Sequence, residues 1–114
     1  MQTPITDLTF LKTFTTGNKE KMAKYINMFL QAAPGIIQNM ETHLANSDWK
    51  QLRTAAHSLK PQAGYMGMKQ GEQTLRTIEE CASEQKELDT VPGHIQEFNT
   101  QVIQAKEELT NAIA

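Results

Sequence analysis

Apolar residues recur every three or four positions through most of the chain, and no stretch alternates apolar and polar residues long enough to suggest a strand. This spacing predicts helices throughout. A short first helix is expected over Asp7–Phe14, using Leu8, Leu11 and Phe14, after which Gly17-Asn18 ends it and caps the next. The second helix begins near Lys19. Its face of Met22, Ile26, Phe29, Ala33, Ile36, Met40 and Leu44 continues past Pro34, where a kink is expected. Asn46-Ser47-Asp48 reads as a tight turn ending in an N-cap, and the third helix then runs to about Met66, where Gly67 stops it. A fourth helix is expected from about Lys69 to Gln85 through Leu75, Ile78 and Ala82, followed by a loop over Asp89-Thr90-Val91-Pro92-Gly93. The last helix carries Ile95, Phe98, Val102, Ala105, Leu109 and Ala112 at bundle spacing. The expected fold is all-α: one domain over residues 1–114, an antiparallel four-helix bundle with the short N-terminal helix covering one end.

The third helix separates into two unlike stripes. At roughly 100° per residue, Lys50, Arg53, His57, Lys60, Pro61 and Gly64 share one side, and Leu52, Ala55, Ala56, Leu59, Ala63 and Met66 the other. The apolar stripe is expected to be buried and the polar one exposed. His57 is thus read as a surface histidine flanked by Arg53 and Lys60. A neutral imidazole is a nucleophile near pH 7, and a lysine one turn away can hold an anion beside it; phosphate is the anion that suits both. Gly64 removes side-chain bulk one turn beyond Lys60, where another protein could approach closely.

An isolated exposed histidine on a helix is more often inert than reactive, so His43 and His94, which lack such surroundings, are read as ordinary surface residues. Met22, Met28, Met40, Met66 and Met68 are assigned to the core, where flexible thioethers fill gaps. Tyr65 and Met68 suit either the core or the rim of a partner surface.

Composition narrows the chemistry. The chain has 114 residues, enough for one core without crosslinks, and a single cysteine, Cys81, which excludes an internal disulfide. Met1-Gln2-Thr3-Pro4 lacks the basic and apolar regions of a secretion signal, and no apolar run approaches a membrane span, so a cytoplasmic protein is expected. Eleven basic against thirteen acidic residues give a formal charge of −2 with no dense basic cluster, and aromatics are few, which argues against nucleic acid. Proteins are the expected partners. With no Gly-rich phosphate loop, a phosphoryl group must come from another protein.

The run Ala56-His57-Ser58-Leu59-Lys60, followed by Ala63-Gly64 and Gly67, resembles the core pattern of the histidine-containing phosphotransfer (HPt) domain family. Asp48-Trp49, Phe29-Leu30 with Pro34, and Leu75, Ile78 and Glu79 also fall where that family places similar residues, so the likeness spans nearly the whole chain. The resemblance implies a bundle carrying His57 as phosphoacceptor and Lys60 as the cation that stabilises phosphate. It also implies that Glu79 matches the Glu or Gln that holds the second imidazole nitrogen. Arg53, Pro61 and Gly64 would form the docking face. The implied partners are response-regulator receiver domains and a hybrid sensor histidine kinase, with Mg²⁺ on the aspartate-bearing receiver, no cofactor on this chain, and a monomeric state. In one respect the chain departs from the pattern. Pro61 stands four residues after the histidine, where the family commonly has glycine; it removes the hydrogen bond to the His57 carbonyl, which costs about 3 kcal/mol in an isolated helix, and adds bulk to the docking face.

The function expected from these features is that of a phosphorelay intermediate, accepting a phosphoryl group on His57 from a receiver aspartate or hybrid kinase and passing it to another receiver. The alternative is a pseudo-HPt module that binds receivers without carrying phosphate, for which Pro61 is the best support. A sensor-kinase phosphoacceptor helix pair fits less well, because Ser58 stands where that motif has an acidic residue and Pro61 comes one position early. A metal or cofactor bundle would need inward-facing ligands at matched heights, and the sequence offers no such set.

Overall fold

The computed structural model describes residues 3–114, and among these there is no strand. Its helices are α1 (Thr9–Phe14), α2 (Lys19–Ala45), α3 (Trp49–Tyr65), α4 (Lys69–Glu84) and α5 (Val91–Ala112), with a 3₁₀ turn at Leu88–Thr90 before the last. Met1 and Gln2, the start of the segment read as lacking a secretion signal, lie outside the described residues. Each long helix packs on two neighbours: α2 on α3, α3 on α4, α4 on α5, and α5 back on α2. Short connections between successive helices make this an up-and-down bundle. No helix is long and apolar enough to cross a membrane among the described residues.

The helix starts follow the side chains available. Asn18 accepts a hydrogen bond from Lys21 N, and Asp48 one from Gln51 N, each satisfying a donor that the first turn leaves free. The first helix begins at Thr9 rather than Asp7. Asp7 stays outside and accepts from Thr9 N. The larger difference is at the other end of the chain, where residues 89–93 are not a loop. α5 starts at Val91, which is fully buried, and Pro92 sits in its first turn. Proline is at home there because its missing N–H would have had no partner and its φ is already helical. α2 and α3 both run on through Pro34 and Pro61.

The core is one cluster drawn from every helix, centred on Phe29, Phe98, Ile26, Met40, Leu52, Leu59, Leu75, Ile78 and Ile95, with Leu11 of α1 closing one end. Several assignments shift by one position or one face. Ile37 is buried and Ile36 half-buried, Ala112 is exposed, and Ile113 packs on the core instead. Met22, Met40, Met66 and Met68 are buried, whereas Met28 is 55% exposed. Phe14 is likewise 52% exposed. In a helix as short as α1 only one position per turn reaches the bundle, and Leu11 takes it.

Residues 3–8 form a strap fastened at two points. Glu108 of α5 accepts from Ile5 N, Thr6 N, Thr6 Oγ1 and Gln104 Nε2, and Gln104 Nε2 also donates to the Thr3 carbonyl. Asp7 N donates to the Met66 carbonyl at 3.0 Å, in the turn between α3 and α4. Gly67 makes that contact possible. It has φ +67°, and a Cβ placed on it would lie 2.0 Å from the Asp7 carbonyl oxygen. Replacement by Gly67→Ala is therefore expected to destabilise the fold by more than about 2 kcal/mol, through left-handed strain and displacement of the strap. Urea unfolding of the variant measures this, and a loss below about 0.5 kcal/mol would contradict it.

Candidate functional site

The His57 side chain is 69% exposed on α3, and its surroundings are set by what faces it from α4. Ala56, Leu59 and Ala63 turn into the core and fix the rotation of α3; Leu75, Ile78 and Ala82 do the same for α4. On that register Glu79 comes to the α3 side of α4. Its Oε1 lies 3.3 Å from His57 Nδ1, and its Oε2 lies 2.8 Å from Lys60 Nζ. One carboxylate thus touches both residues. The lysine contact is an ion pair at hydrogen-bond distance.

Glu79 is 17% exposed and Lys60 25% exposed, so the pair is largely withdrawn from water while the imidazole projects from it. Burial pushes the Glu79 carboxyl up, but contacts with Lys60 and His57 outweigh it and hold the group below the ordinary value of 4.5. A charged Glu79 can only accept, so it selects the tautomer in which Nδ1–H donates to Oε1. The neutral ring then keeps its lone pair on Nε2, which makes no hydrogen bond to any described residue.

The remaining candidates divide. Arg53 is exposed and lines a shallow depression with Thr54 and His57, and Pro61 is exposed one turn beyond the histidine. Lys60 does not stand free on the outer stripe, as the helical projection implies, but bends towards α4. A lysine stem is long enough to reach a neighbouring helix, and the Glu79 charge draws it there. Gly64 is half-buried beside α4; a Cβ on it would meet Glu72 Oε1 at 3.4 Å, an ordinary contact. No group of three or more His, Cys, Asp or Glu side chains among the described residues is placed to hold a metal ion.

Tyr65, read from sequence as either core or partner rim, and Phe14, read as part of the apolar face of the first helix, are exposed and join an aromatic group that the sequence pattern does not assemble. Phe10 stacks on Tyr65 with ring centroids 5.4 Å apart and on Phe14 at 6.0 Å, and Phe14 meets the edge of Tyr25 at 5.5 Å. Phe10 and Phe14 are about half exposed, and Met28 borders the same end of the α2–α3 groove. The signal was available as Phe10 and Phe14 at i, i+4, but sequence alone assigns such a pair to a core as readily as to a surface.

The chain matches the family model described as Hpt domain over residues 24–112, a span that includes α3, α4 and the whole His57–Glu79–Lys60 group. The chain belongs to the Hpt domain family. Its class of activity is phosphotransfer in two-component signalling. The fold of this Hpt protein is similar to the crystal structure of histidine-containing phosphotransfer protein B (HptB) from Pseudomonas aeruginosa PAO1. The TM-score is 0.87, with 19% identity, covering 98% of this chain and 96% of that one. No curated protein matches the sequence.

Glu108 resembles Glu79 in that burial raises its carboxyl but hydrogen bonds from Thr6, Gln104 and Ile5 hold it below 4.5. A carboxylate whose folded pKa is depressed stabilises the fold above its unfolded pKa, and that contribution is lost as pH falls through the folded value. Stability is therefore expected to decline below about pH 4.5. The acid limb should flatten in a Glu79→Gln/Glu108→Gln double variant, compared with wild type by urea unfolding between about pH 3 and 7. Identical acid limbs in the two proteins would count against it.

Proposed function

We propose that this Hpt protein is a phosphorelay intermediate, accepting a phosphoryl group on His57 from a receiver-domain aspartate, or from a hybrid sensor kinase, and passing it to another receiver aspartate. The observation that carries this reading is the exposed imidazole whose Nδ1 faces the Glu79 carboxylate at 3.3 Å, leaving Nε2 as the free nucleophile. In the transfer step the Nε2 lone pair attacks phosphorus, the bond from phosphorus to the aspartyl oxygen breaks, and the carboxylate leaves with that electron pair. The ring becomes a phospho-imidazolium that keeps its Nδ1 proton towards Glu79. The return step is the same displacement reversed, with imidazole as the leaving group. This chain supplies position and charge, as suits phosphoryl transfer. Mg²⁺ belongs in this scheme to the aspartate-bearing receiver, and the chain itself needs no cofactor.

Docking is assigned to the outer face of α3 and the end of the bundle beyond it. Arg53 and Pro61 border the histidine, and Gly64 and Tyr65 stand about two turns further on, Tyr65 about 12 Å along the helix axis, where it joins Phe10 and Phe14. Exposed aromatic area beside a reactive group suits an apolar patch on a receiver. Truncation by Phe10→Ala with Phe14→Ala is expected to raise KM for a phosphorylated receiver about five- to tenfold. Labelling of His57 by phosphoramidate, a donor too small to need docking, should not change. An unaltered KM would place docking elsewhere.

The direct test is transfer from each phosphorylated receiver domain of the source organism to wild type and to His57→Gln, followed as acid-labile phosphate on this chain. Wild type is expected to accept and the variant to accept none while remaining folded. Phosphate on the variant would remove His57 from the assignment. Binding without transfer to either protein would favour the pseudo-HPt reading, in which Pro61 admits a receiver but not the in-line approach.

A further inference from the structure

Within the proposed phosphotransfer reading, the arrangement around Glu79 carries a consequence for how tightly His57 would keep a phosphoryl group. Lys60 is the ammonium group one turn from the histidine, and it is already engaged. Its Nζ lies 2.8 Å from Glu79 Oε2, on the same carboxylate that meets His57 Nδ1 through Oε1. Lys60 therefore cannot neutralise a phosphoryl group on Nε2 without loosening or sharing its contact with Glu79. Both side chains are largely shielded from water, which strengthens their attraction beyond that of an exposed pair. Arg53, the other cation bordering the histidine, is exposed and has no ion-pair partner among the described residues.

We infer that Glu79 is a positioning residue that competes with the phosphoryl group for Lys60, and so sets the equilibrium between phospho-His57 and the phosphorylated receiver. In the free protein Lys60 rests on Glu79. When phosphorus bonds to Nε2, a dianionic phosphoryl group arrives on a ring that becomes cationic, a net gain of one negative charge, and Lys60 moves to or is shared with the phosphoryl oxygens. Glu79 then loses the ammonium and keeps only the Nδ1–H of the imidazolium, and its remaining charge repels the phosphoryl oxygens. Both effects weaken the hold on the phosphoryl group and favour its onward transfer. A glutamine at this position would still offer an amide oxygen to Nδ1, but it would neither retain Lys60 nor repel phosphate.

The measurement is the position of equilibrium between a phosphorylated receiver and this protein, for wild type, Glu79→Gln, Lys60→Ala and the double variant, with phosphoramidate labelling as an independent check that His57 reacts. Glu79→Gln is expected to shift the equilibrium about fivefold towards phospho-His57, the worth of roughly one charge-assisted contact. In the Lys60→Ala background the same substitution should have a clearly smaller effect, leaving only the repulsion. A purely orienting role for Glu79 predicts a different result, because misorientation slows forward and reverse transfer together and leaves their ratio unchanged. An unchanged ratio, or a shift undiminished in the absence of Lys60, overturns the competition. If wild type takes up no acid-labile phosphate from the receiver or from phosphoramidate, the phosphorelay reading fails and the competition fails with it. Normal uptake with an unchanged ratio removes the competition alone.

Discussion

The site depends on the hairpin formed by α3 and α4. His57 and Glu79 lie eleven residues before and after Met68, and Gly64 and Glu72 lie four before and after it, so each pair is symmetric about the turn and ends up face to face. Two antiparallel helices rising at the same rate from one tight turn impose this correspondence. The turn is tight because Gly67 takes a left-handed conformation and because its bare Cα lets the N-terminal strap cross directly over it. Met66 and Met68, on either side, are buried and anchor the turn to the core. A side chain at position 67 would loosen the strap and the hairpin together.

Given that hairpin, the electrostatics of the site follow from one carboxylate in a half-dry position. Burial alone would favour the neutral acid, but a cation on one oxygen and an imidazole on the other keep Glu79 charged. The histidine gains orientation from this without being buried, as the proposed attack on a partner's phosphoryl group requires. The small residues that rotate α3, Ala56 and Ala63 above all, bring the helices close enough for Glu79 to reach across.

A second half-buried carboxylate organises the opposite attachment. Glu108 gathers the backbone N–H groups of Ile5 and Thr6, which have no helix to satisfy them, and so fixes the strap to α5. The strap also bonds to Met66, so α1 is held by α5 and by the α3–α4 turn at once. That double attachment places Phe10 and Phe14 against Tyr65, at the end of the helix that bears His57. The aromatic group thus stands at one end of the helix that bears His57 although Phe10 and Phe14 come from a different part of the chain.

Much of this was legible from local pattern. The periodicity of apolar residues determined the helices and most of their inward faces, Asn18 and Asp48 marked two starts, and Gly67 marked a stop, because each of these is decided within a turn or two of the chain. The exposed character of His57 followed from the same arithmetic. Glu79 was reached through family resemblance, though symmetry about the Gly67 turn would also have pointed to it once two antiparallel helices were granted. What only the tertiary structure decided were the choices that local spacing leaves equal. Ile36 and Ile37 fit the stripe alike, and contact with the rest of the bundle selected Ile37. Pro92 and Gly93 suggested a loop, but burial of Val91 carried α5 back through them. The aromatic patch, the hold of Glu108 on the strap and the turn of Lys60 towards α4 all join residues distant in sequence, by forces that act only once packing has brought them together.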